Sequence, residues 1–193
     1  ESVMFTVGQA EGLVALGDSM YFGIYPGGII YRASLADAVP TVQQVFTIGS
    51  EQDRPYMMTT GEGKLIIGTI PDYGKLGGAL TIYDPATGEK EVYRNVVQNQ
   101  SITGLVYYNG LIFGGSNIYG GLDITPTESE AKMFVWDMAA KQKIAEFTLD
   151  IPELDKPTMI TGLTVGPDGL IWGTVDGIIF QLDPETFEIV DYT

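Results

Sequence analysis

Four short apolar runs along the chain each end in glycine: Met20-Tyr21-Phe22-Gly23, Leu65-Ile66-Ile67-Gly68, Leu111-Ile112-Phe113-Gly114 and Ile171-Trp172-Gly173. The glycines fall 45, 46 and 59 residues apart. Runs this short, bounded by turn residues and lacking helical periodicity, are strand-like. A repeat of that size built only from strands and turns predicts an all-β fold, a β-propeller of four-stranded blades. One blade cannot bury its apolar faces alone, so the period constrains this fold more tightly than composition does.

The last repeat divides most clearly. Residues 160–165, 170–175, 177–183 and 188–192 read as four successive strands, with Gly166-Pro167-Asp168-Gly169 as the first hairpin turn. The turn before its fourth strand, Asp183-Pro184-Glu185-Thr186, recurs as Asp84-Pro85-Ala86-Thr87 and, more loosely, as Asp137-Met138. Asp in the first position of such a turn accepts backbone amides, and Pro presets φ. These aspartates therefore read as turn formers, not catalytic acids. The blades are expected at about 11–49, 54–97, 100–149 and 158–193. Met4-Phe5-Thr6-Val7-Gly8 matches Val45-Phe46-Thr47-Ile48-Gly49, so residues 1–8 are expected to form the outer strand of a preceding blade. Four blades and a spare outer strand point either to half of a larger ring or to a small ring closed in an unusual way, and the first is favoured because an open pair of blade edges would bury poorly and expose strands. The opening Glu1-Ser2-Val3, neither an initiator Met nor a basic leader, reads as cut from something longer.

Charge and composition narrow the chemistry. With 25 acidic and 10 basic residues the net charge is −15, which opposes binding to nucleic acid or to an anionic membrane. No apolar run approaches the ~18 residues of a helical membrane span. The chain has no Cys and no His, which excludes thiolate zinc sites, cysteine nucleophiles and histidine-based triads. Lack of Cys also removes any disulfide framework and suits either a cytoplasmic chain or a secreted one. Gly74-Lys75-Leu76-Gly77-Gly78 lacks the ending of a phosphate loop, and no Gly-x-Ser-x-Gly elbow occurs.

The inter-strand connections are unequal. Turns at one end of the blades are short; the loops at the other end, joining second to third strands, are long. They run from Gly23 to Gly28, Thr69 to Gly78, Gly115 to Ala131 and Val175 to Gly177. Together with the inter-blade connections they would place Tyr25, Asp53, Arg54, Asp72, Tyr73, Asn99, Asn117, Tyr119 and Asp176 on one face. Aromatic rings beside amides, carboxylates and a guanidinium suit a sugar, whose C–H face packs on a ring while its hydroxyls take the polar groups. The same residues equally serve as ordinary packing and turn residues. Catalysis on this face would fall to Tyr, Lys or carboxylates: two acids for a glycosidase, or Tyr25 or Tyr119 as base with Arg54 or Lys75 as cation for a lyase. No cofactor is called for, although Asp72, Asp123 and Asp176 could offer oxygens to a calcium ion.

Tyr25-Pro26-Gly27-Gly28-Ile29-Ile30-Tyr31-Arg32, and Ser116-Asn117-Ile118-Tyr119-Gly120-Gly121-Leu122 followed by Ala131-Lys132-Met133-Phe134-Val135-Trp136-Asp137, are similar to propeller regions of large secreted Gram-positive bacterial proteins associated with polysaccharide use. Gly166-Pro167-Asp168-Gly169-Leu170-Ile171-Trp172-Gly173 more loosely resembles the blade hairpin of SMP-30-like, NHL-like and two-component-regulator propellers. The resemblance implies an extracellular or cell-surface module, with the cytoplasm still open, that binds a polysaccharide or a protein. It also implies that the remaining blades of a parent chain, or a second copy, complete the ring. Such propellers include lyases, hydrolases and plain scaffolds, so those readings stand beside binding. For this chain alone the residues favour binding over catalysis.

Overall fold

The computed structural model describes residues 7–193, which form sixteen strands in four separate antiparallel sheets. The first sheet holds β1 (Gln9–Leu16), β2 (Ser19–Tyr25), β3 (Ile29–Ser34) and β4 (Val42–Thr47). The second holds β5 (Gln52–Gly61), β6 (Lys64–Pro71), β7 (Ala79–Tyr83) and β8 (Lys90–Arg94). The third holds β9 (Ser101–Tyr108), β10 (Leu111–Asn117), β11 (Met133–Asp137) and β12 (Gln142–Phe147). The fourth holds β13 (Ile160–Val165), β14 (Ile171–Val175), β15 (Ile178–Leu182) and β16 (Ile189–Tyr192). Each sheet is a simple meander in chain order, as in the blades of a β-propeller. No helix occurs among the described residues. The expected outer strand at residues 1–8 lies almost wholly outside them.

Consecutive sheets pack face to face through their first strands: β1 on β5, β5 on β9 and β9 on β13. Among the described residues no comparable packing returns β13 to β1, so the four blades form an arc. Each seam has its own core. Tyr21 and Ile30 meet Leu65, Ile67 and Tyr83 in the first. Ile66, Leu80 and Ile82 meet Ile102, Ile112 and Phe134 in the second. Phe113, Met133 and Val135 meet Ile160, Ile171 and Phe180 in the third. Strand residues alternate between faces, so the middle blades must be apolar on both sides. This explains the unbroken runs at Leu65-Ile66-Ile67 and Ile112-Phe113.

The four glycines that announce the repeat are not structurally equivalent. Counted from the hairpin turns, Gly23, Gly68, Gly115 and Thr174 occupy matching positions, and the first three point at the following blade. A Cβ on Gly23 would strike Pro55, one on Gly68 would strike Ile102, and one on Gly115 would come within 2.7 Å of Ile160. Gly114 and Gly173 lie one residue earlier and face the preceding blade. There they make room for the rings of Phe134 and Phe180, their direct cross-strand partners. A one-residue slip exchanges the faces of a strand, which the run of small and apolar letters conceals. On the first strand of its blade, Gly104 sits against the next blade, near Leu163. Gly162, which its sequence context matches to Gly104, instead occupies an exposed bulge with φ of +65°.

The turn aspartates behave as turn formers. Asp84 Oδ1 accepts Ala86 N–H at 2.8 Å, Asp137 Oδ1 accepts Ala139 and Ala140 N–H, and Asp183 Oδ1 accepts Glu185 N–H at 2.7 Å. Asp168 accepts the Trp172 indole N–H as well as Leu170 N–H. The short turns are thus fixed at one end of the blades, and the long loops gather at the other.

A candidate binding cleft on the loop face

The long loops are held to one another. The 15-residue stretch between Asn117 and Met133 folds back over the loop between β6 and β7, where Gly74 N–H donates to Leu122 O at 2.7 Å and Gly121 N–H donates to Lys75 O at 2.9 Å. Gly120 and Gly121 permit this approach, since a side chain at either would meet the backbone of Lys75 or Asp72. On its other flank Ile118 N–H donates to Thr158 O at 3.0 Å, and Asn117 bridges to Met159. Tyr119 is placed by two backbone contacts, its N–H donating to Asn117 Oδ1 at 2.9 Å and its carbonyl accepting Ser101 Oγ–H at 2.7 Å, while the residue stays 53% exposed.

Two buried polar locks, absent from the sequence reading as functional features, anchor these loops. Thr69 Oγ1 donates to Gln52 Oε1 at 2.5 Å, and Gln52 Nε2 donates to Gly77 O at 3.3 Å. One blade later Ser116 Oγ donates to Gln100 Oε1 at 2.5 Å, and Gln100 Nε2 donates to Glu130 O at 2.8 Å. All four residues are at most 3% exposed. Buried polar groups of this kind must be satisfied, so each lock ties a strand start to a loop. Gln100, in the inter-blade connection just before β9, is thus a lock component, not a face residue. The signal lay in the shared order: a glutamine at or just before the start of one strand and a hydroxyl residue just past the apolar run of the next.

The candidate residues divide into groups. Tyr25, Asp53, Arg54, Asp72 and Tyr73 come together around the first two blades. Tyr25 and Tyr73 hydroxyls hydrogen-bond at 3.1 Å, and the Arg54 guanidinium lies 4.0 Å from the centre of the Tyr25 ring. Arg54 also pairs with Glu11 at 3.8 Å, a partner the sequence reading did not include. Asp53 is buried, and its Oδ1 accepts Gly27 N–H at 2.6 Å, which makes it the anchor of the turn between β2 and β3. Asp53, Arg54, Tyr73 and Tyr119 line a small hollow of about 130 Å³. Asn117 and Tyr119 form its shared wall with a wider hollow of about 390 Å³, whose far side carries Thr161, Thr174 and Asp176. Asn99 stands apart, with its Nδ2 donating to Thr127 Oγ1 at 2.9 Å, and it lines neither hollow. A wider cavity, about 730 Å³, lies elsewhere, on the outer rim between the third and fourth blades.

Electrostatics set this cleft apart from the rest of the acidic surface. The hydrogen bond from Tyr73, and then the Arg54 guanidinium, hold the Tyr25 phenol below its ordinary value, while Tyr73 is pushed up. Burial, and then the charges of Asp53 and Glu51, push the Asp72 carboxyl up. Glu51 is held low by Lys75 at 2.6 Å and by Arg94. Among the described residues no group of three or more acidic side chains is arranged to hold a metal ion.

No family model matches the chain, and no curated protein matches it. Solved structures do. The extracellular domain of BT4673 from B. thetaiotaomicron matches with a TM-score of 0.63 at 13% identity, over 98% of this chain and 23% of that one. The WD40 domain of Pan2 from Neurospora crassa matches with a TM-score of 0.60 at 13% identity, over 96% and 50%. The computationally designed protein Ika4 matches with a TM-score of 0.61 at 13% identity, over 92% of both chains. The chain thus spans a quarter to a half of the two natural neighbours and nearly all of the designed one. Likeness at such identity concerns the fold alone, and together with the four meander sheets it makes this chain a β-propeller module.

Proposed function

We propose that the loop face binds carbohydrate, with the sugar stacked on Tyr119 and Tyr73 and its hydroxyls taken by Asn117 and Arg54. The observation that carries the reading is the pair of half-exposed tyrosines, Tyr73 and Tyr119, that line one hollow continuous, through Asn117 and Tyr119, with a second. Rings whose backbones are pinned offer apolar area at little entropic cost. The Asn117 amide oxygen is engaged by Tyr119 N–H, which leaves the amide nitrogen's hydrogens for a ligand. A cleft of joined hollows suits an oligosaccharide better than a compact metabolite, and a protein segment is the other ligand of comparable shape. The cleft belongs to a module of a secreted or surface protein, completed at its two terminal sheet faces by further blades or a second copy. BT4673, one of the similar structures, is an extracellular domain. No described helix is long and apolar enough to cross a membrane. No cofactor is required for this binding.

A glycan array of neutral and uronate-containing oligosaccharides tests the reading. The expected result is a restricted set of hits whose affinity falls about tenfold, or ~1.4 kcal/mol, in each of Tyr119→Ala and Tyr73→Ala with the thermal melt unchanged. Absence of any hit, or hits that both variants retain at full affinity, would leave the scaffold reading in place.

One observation favours a catalytic second reading. Tyr25 is a phenol with lowered pKa beside a guanidinium, the pair a polysaccharide lyase would use to abstract a proton next to a neutralised uronate. That reading requires an unsaturated uronate product, formed by the chain and lost in Tyr25→Phe.

A further inference from the structure

The outer rim has three seams between consecutive blades, and two are closed by a lysine. In the first, Lys90 at the start of β8 reaches back across the seam. Its Nζ donates to Thr47 O at 2.7 Å and to Ile48 O at 3.0 Å, and lies 5.4 Å from the centre of the Phe46 ring. In the second, Lys143 of β12 donates to Val96 O at 2.5 Å. Both lysines stand six residues after the turn aspartate, at Asp84 and Asp137, and both pair across the sheet with the residue just before it, Tyr83 and Trp136. The residue in the same register of the fourth blade is Ile189, six after Asp183 and paired with Leu182.

The third seam keeps the receiving half of the arrangement. Phe147-Thr148-Leu149 repeats Phe46-Thr47-Ile48 in sequence, and Phe147 pairs with Met133 as Phe46 pairs with Ile30. The Leu149 carbonyl accepts Ile151 N–H at 3.1 Å, which occupies one of its two lone pairs. With no lysine to fill it, this seam holds a cavity of about 730 Å³, lined by Phe147, Thr148, Leu149, Phe187 and Ile189. Asp150 and Glu188 add carboxylates to its wall, beside Glu146, which is already paired with Lys132 and Lys143. Phe187 stands where the second blade has Gly88, at a φ of +63° that a bulky side chain rarely adopts. Its ring lies parallel to Phe147, with centres 6.2 Å apart. The cavity wall includes the run Ile144–Asp150, which begins in β12 and continues past its end, and β12 is the outermost strand of its sheet, whose outer edge pairs with no strand among the described residues.

We propose that the third seam receives a lysine side chain from an extended basic segment of a partner protein. The ammonium takes the place held by Lys90 and Lys143 in the other seams, facing the Thr148 and Leu149 carbonyls. The methylene stem lies against the Phe147 and Phe187 rings. The peptide backbone adds to the free edge of β12. The carboxylates of the wall, on a chain of net charge −15, favour a cationic partner.

The test is calorimetric titration at physiological ionic strength with the peptide acetyl-Val-Thr-Lys-Val-Thr-amide and its counterparts carrying norleucine or arginine in place of Lys. The lysine peptide is expected to bind, with both counterparts at least tenfold weaker. The Ile189→Lys chain supplies its own ammonium and is expected to lose at least tenfold in affinity. Phe187→Gly restores the residue of the second blade, relieves the backbone, and is expected to weaken binding several-fold, so it carries the test should Ile189→Lys not fold. No binding of the lysine peptide overturns the proposal. Equal binding of the norleucine peptide would make the seam a plain apolar slot, and undiminished binding to Ile189→Lys would reduce the effect to surface charge; either result also overturns it.

Discussion

Single residues in this protein are chosen by which blade they face. Gly115 is the clearest case, because its missing side chain is filled by Ile160 of the next blade. Gly115→Ala must push two sheets apart, and overpacking of that kind costs about 1–3 kcal/mol. Urea denaturation of the variant is expected to show that loss, whereas the same change at Gly17, whose Cβ would meet nothing, carries only the penalty of its φ of +57°. Lys90 is the second case. Its ammonium satisfies two carbonyls at the seam, and hydrogen bonds to a charged group contribute about 1.5–3 kcal/mol each before solvent exposure weakens them. Lys90→Met keeps the stem and loses the bonds, and a melt lowered by a few degrees is the expected outcome.

At the scale of the element, the loops are as much a part of the fold as the strands. The locks Gln52–Thr69 and Gln100–Ser116 join strand starts to loop backbone in the two middle blades. Thr69→Val strands the Gln52 oxygen in a buried site, at a cost of about 1–3 kcal/mol. Hydrogen exchange is expected to speed up in the 72–78 loop of that variant before it does so in β6. Ion pairs govern the acid response of the outer strands. Glu146 is held below the usual carboxylate range by Lys143 and Lys132, against the opposing effect of its own partial burial. A carboxyl with a depressed folded pKa contributes stability that is fully present above its unfolded value near 4.3 and is lost as pH falls through the folded value. Glu146→Gln is therefore expected to flatten the acid limb of the stability curve below about pH 4.3 and to change little of its slope at neutrality.

For the whole molecule, net charge of −15 on 193 residues is a standing repulsion that added salt screens. The melting temperature is expected to rise by a few degrees between low ionic strength and ~0.5 M sodium chloride, at about 2–4 °C per kcal/mol for a chain of this size. A flat response would mean that the carboxylates are already neutralised by local partners. The terminal sheet faces differ in kind from the seams. Ile179 of the fourth blade is 44% exposed, whereas its counterparts Ile30, Leu80 and Met133 in the first three blades are buried. A shift of the 20.9 kDa chain to higher mass in light scattering, reversed by Ile179→Glu, is the outcome expected if these faces close a ring.

The chain by itself determined the strands, the turns and the propeller class. Each follows from neighbours along the sequence: the spacing of apolar runs, Asp-Pro in the turns, glycine at positive φ. Tyr25, Tyr73, Tyr119 and Asn117 could be placed on one face because alternation of short and long connections is also local. The tertiary structure decided which glycine of Gly114-Gly115 faces which blade, since a one-residue register is settled only by the sheet that packs against it. It decided that Asp53 anchors a turn while Asn99 stands outside the cleft, because both depend on which loops touch. It also separated Ile189 from Lys90 and Lys143 as an empty seam beside two filled ones. A side chain that crosses between blades meets partners more than forty residues away in sequence, and no local pattern records whether that gap is closed.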